Sequence, residues 1–225
     1  MFSLAVLKDN KEAITNYVNL LSILYSIVLA FVVFSAWENY QKAEETLENE
    51  ANAISSVYHY LKVFPDSTKA KVRGEIKEYV SLIVNKEWEE QQWGRESEAA
   101  DSIIHLIPLQ IHAQSPEELQ MYPLLIEQIN HCCIYRRIRV SSASTDIPML
   151  IWFILLMGAV VMIFLSSFFY LEHFNLKKFL SWTLAQFIFI LLFIAFALSS
   201  PYKGSTKLKP EPLEQILSHT FKVRK

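Results

Sequence analysis

Three long stretches without a charged side chain restrict the fold of this sequence more than any other feature. The first runs for 25 residues from Ala13 to Trp37, and the second for 25 residues from Ile147 to Leu171. The third runs for 24 residues from Phe179 to Tyr202. An α-helix needs about 20 apolar residues to cross the hydrocarbon core of a bilayer. All three stretches exceed that length, so the sequence predicts three transmembrane helices.

The predicted spans divide the chain into six segments. They are an N-terminal segment at 1–17, span one at 18–37, a helical domain at 38–148, span two at 149–171, span three at 179–199 and a basic tail at 200–225. Seven residues, Glu172 to Lys178, connect spans two and three as a hairpin. Near the span ends, seven Lys and Arg residues lie on the side of the helical domain and the tail, and four on the other side.

The distribution of positive charge predicts the orientation of the chain. Lys and Arg residues near membrane spans are enriched on the cytoplasmic side. We therefore expect the domain at 38–148 and the C-terminus to be cytoplasmic. The protein is expected to be a multi-pass protein of the cell membrane, which in a bacterium is the inner membrane.

The domain between spans one and two shows no alternating pattern of a β-strand, so the predicted fold class is all-α. Its first helix is expected to continue from span one without a break. Apolar residues recur along it at steps of three and four, as in a heptad seam: Tyr40, Ala43, Leu47, Ile54, Val57, Leu61 and Phe64. Pro65 and Gly94 predict helix ends, and Asp66 or Ser67 is expected to cap the second helix. Ser115 and Glu118 have the spacing of a capping box.

Glu50 falls on the heptad seam, where an apolar side chain would be expected. Glu87 likewise lies close to an apolar helical face. One interpretation is that Glu50 faces an ion pathway or another helix. The other is that these carboxylates form structural salt bridges or lie at the edge of the apolar stripe.

A basic cluster, Arg136, Arg137 and Arg139, precedes span two by about ten residues. It could bind anionic lipid or form a positive ring at a pore mouth. The alternative is that the arginines set the topology and pair with acidic residues of the domain.

Polar and small residues within the spans indicate helix contacts. Ser22, Ser26 and Ala30 recur at four-residue spacing in span one, a pattern that lets another helix approach closely. Gln186 in span three is expected to form a hydrogen bond to a neighbouring helix, because an unpaired amide in hydrocarbon is costly. We expect self-association through span one and its extension, with lipid as the other partner.

The sequence contains no catalytic signature, so an enzyme is not expected. Four glycines are too few for a phosphate-binding loop, and His131-Cys132-Cys133 lacks the spacing of a metal site. No cofactor is expected. The net charge of −2 gives no electrostatic reason for binding nucleic acid.

A set of short motifs, taken in order, resembles the bestrophin-like family of membrane proteins. The motifs are LYSIVLAFVV at 24–33, WENY at 37–40 with Ala43, Glu50-Ala51, Tyr79, Glu87-Trp88, Arg136 with Arg139, Pro148 with Trp152, and PYKG at 201–204. The resemblance covers roughly residues 20–217. It departs from the family pattern at Ser199 and Ser200, where an acid is often found. The family also commonly has an additional N-terminal span, which residues 1–16 are not expected to supply.

The resemblance implies an oligomeric ring of identical subunits that conducts small inorganic ions, since bestrophins are ligand-gated anion channels. It does not imply a calcium site, because residues 205–209 contain no acid. The charge of the domain at 38–148 favours cations instead, since the domain has 18 acidic and 11 basic residues, a balance of −7. The two arguments disagree and leave the sign of the conducted ion open. The alternative function is a non-conducting scaffold or signalling protein whose helical domain binds a cytosolic partner.

Overall fold

A computed structural model of the chain describes residues 10–143, 147–166, 173–204 and 206–220. Throughout these residues the regular structure is helical, which confirms the all-α fold class. Three helices are long and apolar enough to cross a membrane, as the sequence predicts.

The chain divides into two compact units. Unit 1 comprises residues 1–40 and 146–200, and unit 2 comprises residues 41–145 and 201–225. Helix α1, Lys11–Tyr60, is 50 residues long and contributes its first part to unit 1 and its second part to unit 2. The tail after span three therefore belongs to the same unit as the domain between spans one and two.

Unit 1 contains the first part of α1 together with α6 (Met149–Ser166) and α7 (Phe174–Ser199). Helix α7 begins at Phe174, so residues 174–178 of the predicted connector are helical. A helix can continue past the apolar stretch, since its backbone bonds do not depend on the hydrocarbon. Residues 167–172, including the predicted end of span two, lie outside the described residues.

A close contact between α1 and α6 organises unit 1. The ring of Tyr25 packs on Gly158, where a Cβ atom would lie 2.6 Å from two ring carbons. The Tyr25 hydroxyl donates a hydrogen bond to the carbonyl oxygen of Leu155 at 3.3 Å. The small core of this unit lies beside the contact and contains Ala159, Met162 and Ile188.

Unit 2 is built from five short or medium helices around the second part of α1. They are α2 (Asp66–Leu82), α3 (Trp88–Glu90), α4 (Glu98–Leu106), α5 (Pro116–Ala143) and α8 (Glu211–Gln215). The 3₁₀ turns Leu61–Val63, Gln91–Trp93 and Ile107–Gln110 end or connect them. Two π-helical turns, Ile83–Glu87 and Ile216–Thr220, complete the unit.

The helix termini follow the sequence signals in three of four cases. Pro65 comes directly after the turn Leu61–Val63 and Phe64, where the first helix has ended. The capping box at α5 is confirmed: the amide of Glu118 donates to Ser115 Oγ at 3.2 Å, and the amide of Ser115 donates to Glu118 Oε2 at 3.3 Å. Gly94 ends its turn in the left-handed conformation with φ of 70°. The prediction for α2 was wrong, because Pro65 occupies the capping position and the Asp66 carboxylate instead pairs with Lys69 at 2.7 Å.

The heptad seam of α1 lies in the core of unit 2. Six of its apolar side chains are 3% exposed or less: Ala43, Leu47, Ile54, Val57, Leu61 and Phe64. Helix α2 adds buried side chains to the same unit, among them Val72, Ile76 and Tyr79. The seam is therefore covered by the chain's own residues and is not open for pairing with another copy.

Candidate functional site

A double ion pair lies in the interior of unit 2. Arg136 and Arg139 stand one turn apart on α5 and meet two carboxylates, Glu50 from α1 and Glu87 from the π-helical turn Ile83–Glu87. Glu50, Glu87 and Arg139 are 0% exposed, and Arg136 is 4% exposed. Since buried charges are tolerated only when they are paired and hydrogen-bonded, this cluster has to be assembled as a whole.

Arg139 binds both carboxylates. Its Nε donates to Glu50 Oε2 at 2.7 Å, and its Nη2 donates to Glu50 Oε1 at 3.3 Å and to Glu87 Oε1 at 2.9 Å. Its Nη1 donates to the side-chain oxygen of Gln91. The guanidinium thus has a partner for each of its three nitrogens. The hydroxyl of Tyr79 adds a further donor to Glu50 Oε1 at 3.2 Å.

Arg136 binds Glu87 from the other side. Its Nη2 lies 2.6 Å from Glu87 Oε2 and also donates to the carbonyl oxygen of Ser97 at 3.0 Å. Its Nη1 pairs with Asp101 Oδ1 on α4 at 2.7 Å. The amide of Ser97 donates to Glu87 Oε2 at 2.9 Å, so the loop before α4 is held by the same carboxylate.

The electrostatics of the cluster favour a charged Glu87 and a neutral Tyr79. Burial disfavours the charge of Glu87, but the hydrogen bond from Arg136 and the charges of both arginines outweigh it, so the pKa of Glu87 lies below its ordinary value. Burial raises the pKa of Tyr79 well above its ordinary value, and the charge of Glu50 raises it further. Tyr79 therefore remains a neutral donor to Glu50 at physiological pH.

Trp88 connects the cluster to the C-terminal segment. The guanidinium carbon of Arg139 lies 5.3 Å from the centroid of the Trp88 ring, within the range of a cation–π contact. The same ring meets Tyr202 edge-on, with centroids 5.8 Å apart. The indole N–H donates to the carbonyl oxygen of Leu208 at 3.2 Å. Burial raises the pKa of Tyr202 to about 12, and its hydroxyl donates to the carbonyl oxygen of Ala43 at 3.4 Å.

The membrane-proximal basic cluster expected from the sequence is divided in the structure. Arg136 and Arg139 point into unit 2, and only Arg137, between them, is exposed. Helical geometry requires this, because positions 136 and 139 share a face of α5 and position 137 does not. Glu50 likewise lies in the interior rather than on an open surface, because Arg139 supplies the opposite charge.

The small-residue row of span one borders a groove within unit 1. Ser22, Ser26 and Ala30 line it, and its volume is about 760 Å³. The two hydroxyls donate to the helix's own carbonyl oxygens, those of Val18 and Ser22, at 2.7 and 2.6 Å. Side chains of α7 form the opposite wall. Gln186 is exposed, and within the described residues no hydrogen bond of its side chain is seen.

A polar face runs along α1 in unit 2, opposite the buried seam. Its members are spaced by four and three residues and are all exposed: Gln41, Glu45, Glu48, Asn52, Ser55 and His59. This polar face was not recognised in the sequence. Glu50 on the seam was the acid predicted to face ions, whereas Glu45 and Glu48 on the polar face were not predicted.

Sequence reasoning also missed Tyr79, Trp88, Gln91 and Asp101 as partners of one cluster. Each of the four lies in a different local context, so no spacing in the sequence connects them. The available signals were two acids on apolar helical faces, two arginines at a three-residue spacing, and the family motifs. Those motifs include Tyr79 and Trp88 beside the two acids and the two arginines. Among the described residues, no group of three or more His, Cys, Asp or Glu side chains is placed to hold a metal ion.

Comparison with known proteins gives a family and a set of similar folds. A family model described as a bestrophin-like domain matches residues 4–213. Three crystal structures of a bacterial bestrophin homologue from Klebsiella pneumoniae, two of them of single-substitution variants, have TM-scores of 0.72, 0.70 and 0.68 at 15% identity. They cover 89%, 90% and 90% of this chain and 82%, 85% and 84% of the homologue. No curated protein matches.

Proposed function

Because the chain belongs to the bestrophin-like family, we propose that this membrane protein assembles from identical copies into an ion channel. Its spans lie in the cell membrane, and unit 2 faces the cytoplasm, as the seven-to-four ratio of flanking positive charges favours. The channel selects for cations. The observation that carries this proposal is the two-sided character of α1, which has a buried apolar seam and an exposed polar face.

The polar face of α1 supports an ion pathway. Glu45 and Glu48 are exposed on it, one turn apart. Helices arranged around an axis bring such carboxylates into a ring, and their fields add. A ring of this kind concentrates cations and repels anions.

The spans support assembly. In the most apolar stretch of each span helix, no more than 17% of the residues are buried within the chain. Lipid or other copies must cover the rest. The row formed by Ser22, Ser26 and Ala30 allows close approach of a helix along the groove in unit 1.

Conductance of the purified full-length protein in planar bilayers tests the proposal. With asymmetric potassium chloride, the reversal potential should show cation selectivity. Glu45→Gln combined with Glu48→Gln should move the reversal potential towards the value for equal permeabilities. Glu96→Gln removes an exposed acid away from α1 and should leave it unchanged.

The outcomes separate the parts of the proposal. If the protein conducts but its reversal potential does not change on substitution of Glu45 and Glu48, the protein is a channel whose ion pathway does not include the polar face. Absence of conductance at all voltages would refute the channel and favour a scaffold. The scaffold has one observation in its favour, since unit 2 carries large exposed apolar side chains such as Trp93 and Leu109, 75% and 71% exposed.

Assembly is tested separately. Ser26→Leu places a branched side chain in the small-residue row and should shift the protein in detergent towards smaller species. Ile27→Leu, at the neighbouring exposed position, is the matched control and should leave the size unchanged. An unaltered oligomer in Ser26→Leu would mean that this row does not contact another copy.

A further inference from the structure

The segment after span three packs as a strap within unit 2. We define the strap as residues 201–204 and 206–216. The amide of Leu208 donates to the carbonyl oxygen of Pro201 at 2.8 Å, which closes the first part of the strap into a loop. Leu208, Leu213 and Ile216 are 8%, 0% and 6% exposed, so the strap contributes apolar side chains to the core of the unit.

The attachment of the strap is concentrated near Trp88. The indole donates to Leu208, and the ring meets Tyr202 edge-on. One residue further, Glu89 forms an exposed ion pair with Lys207 of the strap at 3.4 Å. Exposed pairs of this kind contribute little, so the tryptophan contacts and the buried aliphatic side chains hold the strap.

The same tryptophan also covers the double ion pair. Arg139 lies against its ring, and Glu87, which binds both arginines, is its neighbour in the chain. An ion pair is strong only while water is excluded from it. If the strap left, the Trp88 ring would lose Tyr202 and its hydrogen-bond acceptor, and water would gain access to the guanidinium.

We propose that Trp88 couples the strap to the double ion pair, so that strap and ion pair loosen together as one latch. The strap directly follows span three in the chain, and Glu50 lies on the helix that also contains span one. The latch therefore joins the chain segments that continue from two spans. That the latch gates the channel rests on the proposed channel function. The coupling itself is a property of unit 2 and is measurable without conductance.

Amide hydrogen exchange of the full-length protein in detergent tests the coupling. The amide of Leu208 reports on the strap, and the amide of Ser97, bound to Glu87, reports on the ion pair. Leu213→Ala loosens the strap, and Glu50→Gln weakens the ion pair. Each substitution should raise exchange at the opposite reporter, by about two- to thirty-fold.

The route is tested in a second background. Trp88→Phe keeps an aromatic ring but removes the N–H that binds Leu208. In this background, the fold-increase in exchange that each substitution causes at the opposite reporter should approach one. Trp93→Leu is the matched control, since Trp93 is 75% exposed, and there the effects should persist. The proposal is overturned if either substitution leaves the opposite reporter unchanged, or if the effects are equally large in Trp88→Phe.

Discussion

Replacing Arg139 by methionine should destabilise the protein more than any surface substitution. The change removes two hydrogen bonds to Glu50, one to Glu87 and one to Gln91, together with the contact to Trp88. The Glu50 carboxylate would stay buried at 0% exposure, with the Tyr79 hydroxyl as its remaining donor.

The size of the effect follows from the charge left behind. Removing one partner of a buried ion pair costs about 3–5 kcal/mol, because an uncompensated charge remains in the interior. For a chain of this length, about 1 kcal/mol corresponds to about 2–4 °C in the melting temperature. We therefore expect Arg139→Met to lower the melting temperature by about 6–20 °C. Intrinsic tryptophan fluorescence in detergent is a direct measurement.

A second substitution distinguishes charge from packing. In the Arg139→Met background, Glu50→Gln removes the stranded charge and should recover part of the loss. The matched control is Arg137→Met, an exposed arginine two positions away, which should change stability by less than about 0.5 kcal/mol. Equal melting temperatures for the Arg139 and Arg137 variants, or no recovery with Glu50→Gln, would refute the reasoning.

Three further predictions concern Gly158, Glu87 and the orientation of the chain. Gly158→Ala should destabilise unit 1 by about 1–3 kcal/mol in thermal melts, because the added Cβ would lie 2.6 Å from the Tyr25 ring. Gly74→Ala is the control and should be neutral or stabilising, because no atom lies within 4 Å of the added Cβ. Because the pKa of Glu87 is lowered in the folded protein, the unfolded chain binds the proton more readily. The stabilisation by the Glu87 carboxylate is therefore complete above the ordinary pKa of 4.5 and is lost as the pH falls through the pKa of the folded protein. In thermal melts from pH 7 to 3, Glu87→Gln should lose less stability than the unchanged protein. A reporter that is active only outside the cytoplasm, fused after Lys225, should be silent, and strong activity would reverse the proposed orientation.

The fold was largely predictable because its main signals are local. Charge-free stretches and helical periodicity are read from neighbouring residues, and they located the three spans, the long first helix and the capping box of α5. Helix α7 begins five residues before the predicted span three, because hydropathy marks where apolar residues begin and not where a helix begins. The π-helical turn before Trp88 has no comparable local signal.

The residues of the double ion pair could be identified from the sequence, but their pairing could not, because the paired residues are far apart in the chain. Glu50 and Arg139 are 89 positions apart, and Glu87 and Arg136 are 49 apart. The sequence offered structural salt bridges as one interpretation of the acids and pairing with the acidic domain as one interpretation of the arginines. It could not say which acid meets which arginine, since that depends on how α1 and α5 pack.

The position of Glu50 changes which residues support the proposed selectivity for cations. An α-helix turns by about 100° per residue, so Glu50 lies about 160° around α1 from Glu48. The two acids therefore have opposite surroundings: Glu50 is neutralised by Arg139, and Glu48 is exposed. The double ion pair removes two acids and two bases from the domain at 38–148 and leaves 16 acidic and 9 basic residues. The net charge of −7 is therefore unchanged and comes from residues outside the double ion pair. The argument for cation selectivity thus does not depend on Glu50. It depends on the polar face of α1, where the carboxylates are placed to act on ions in solution.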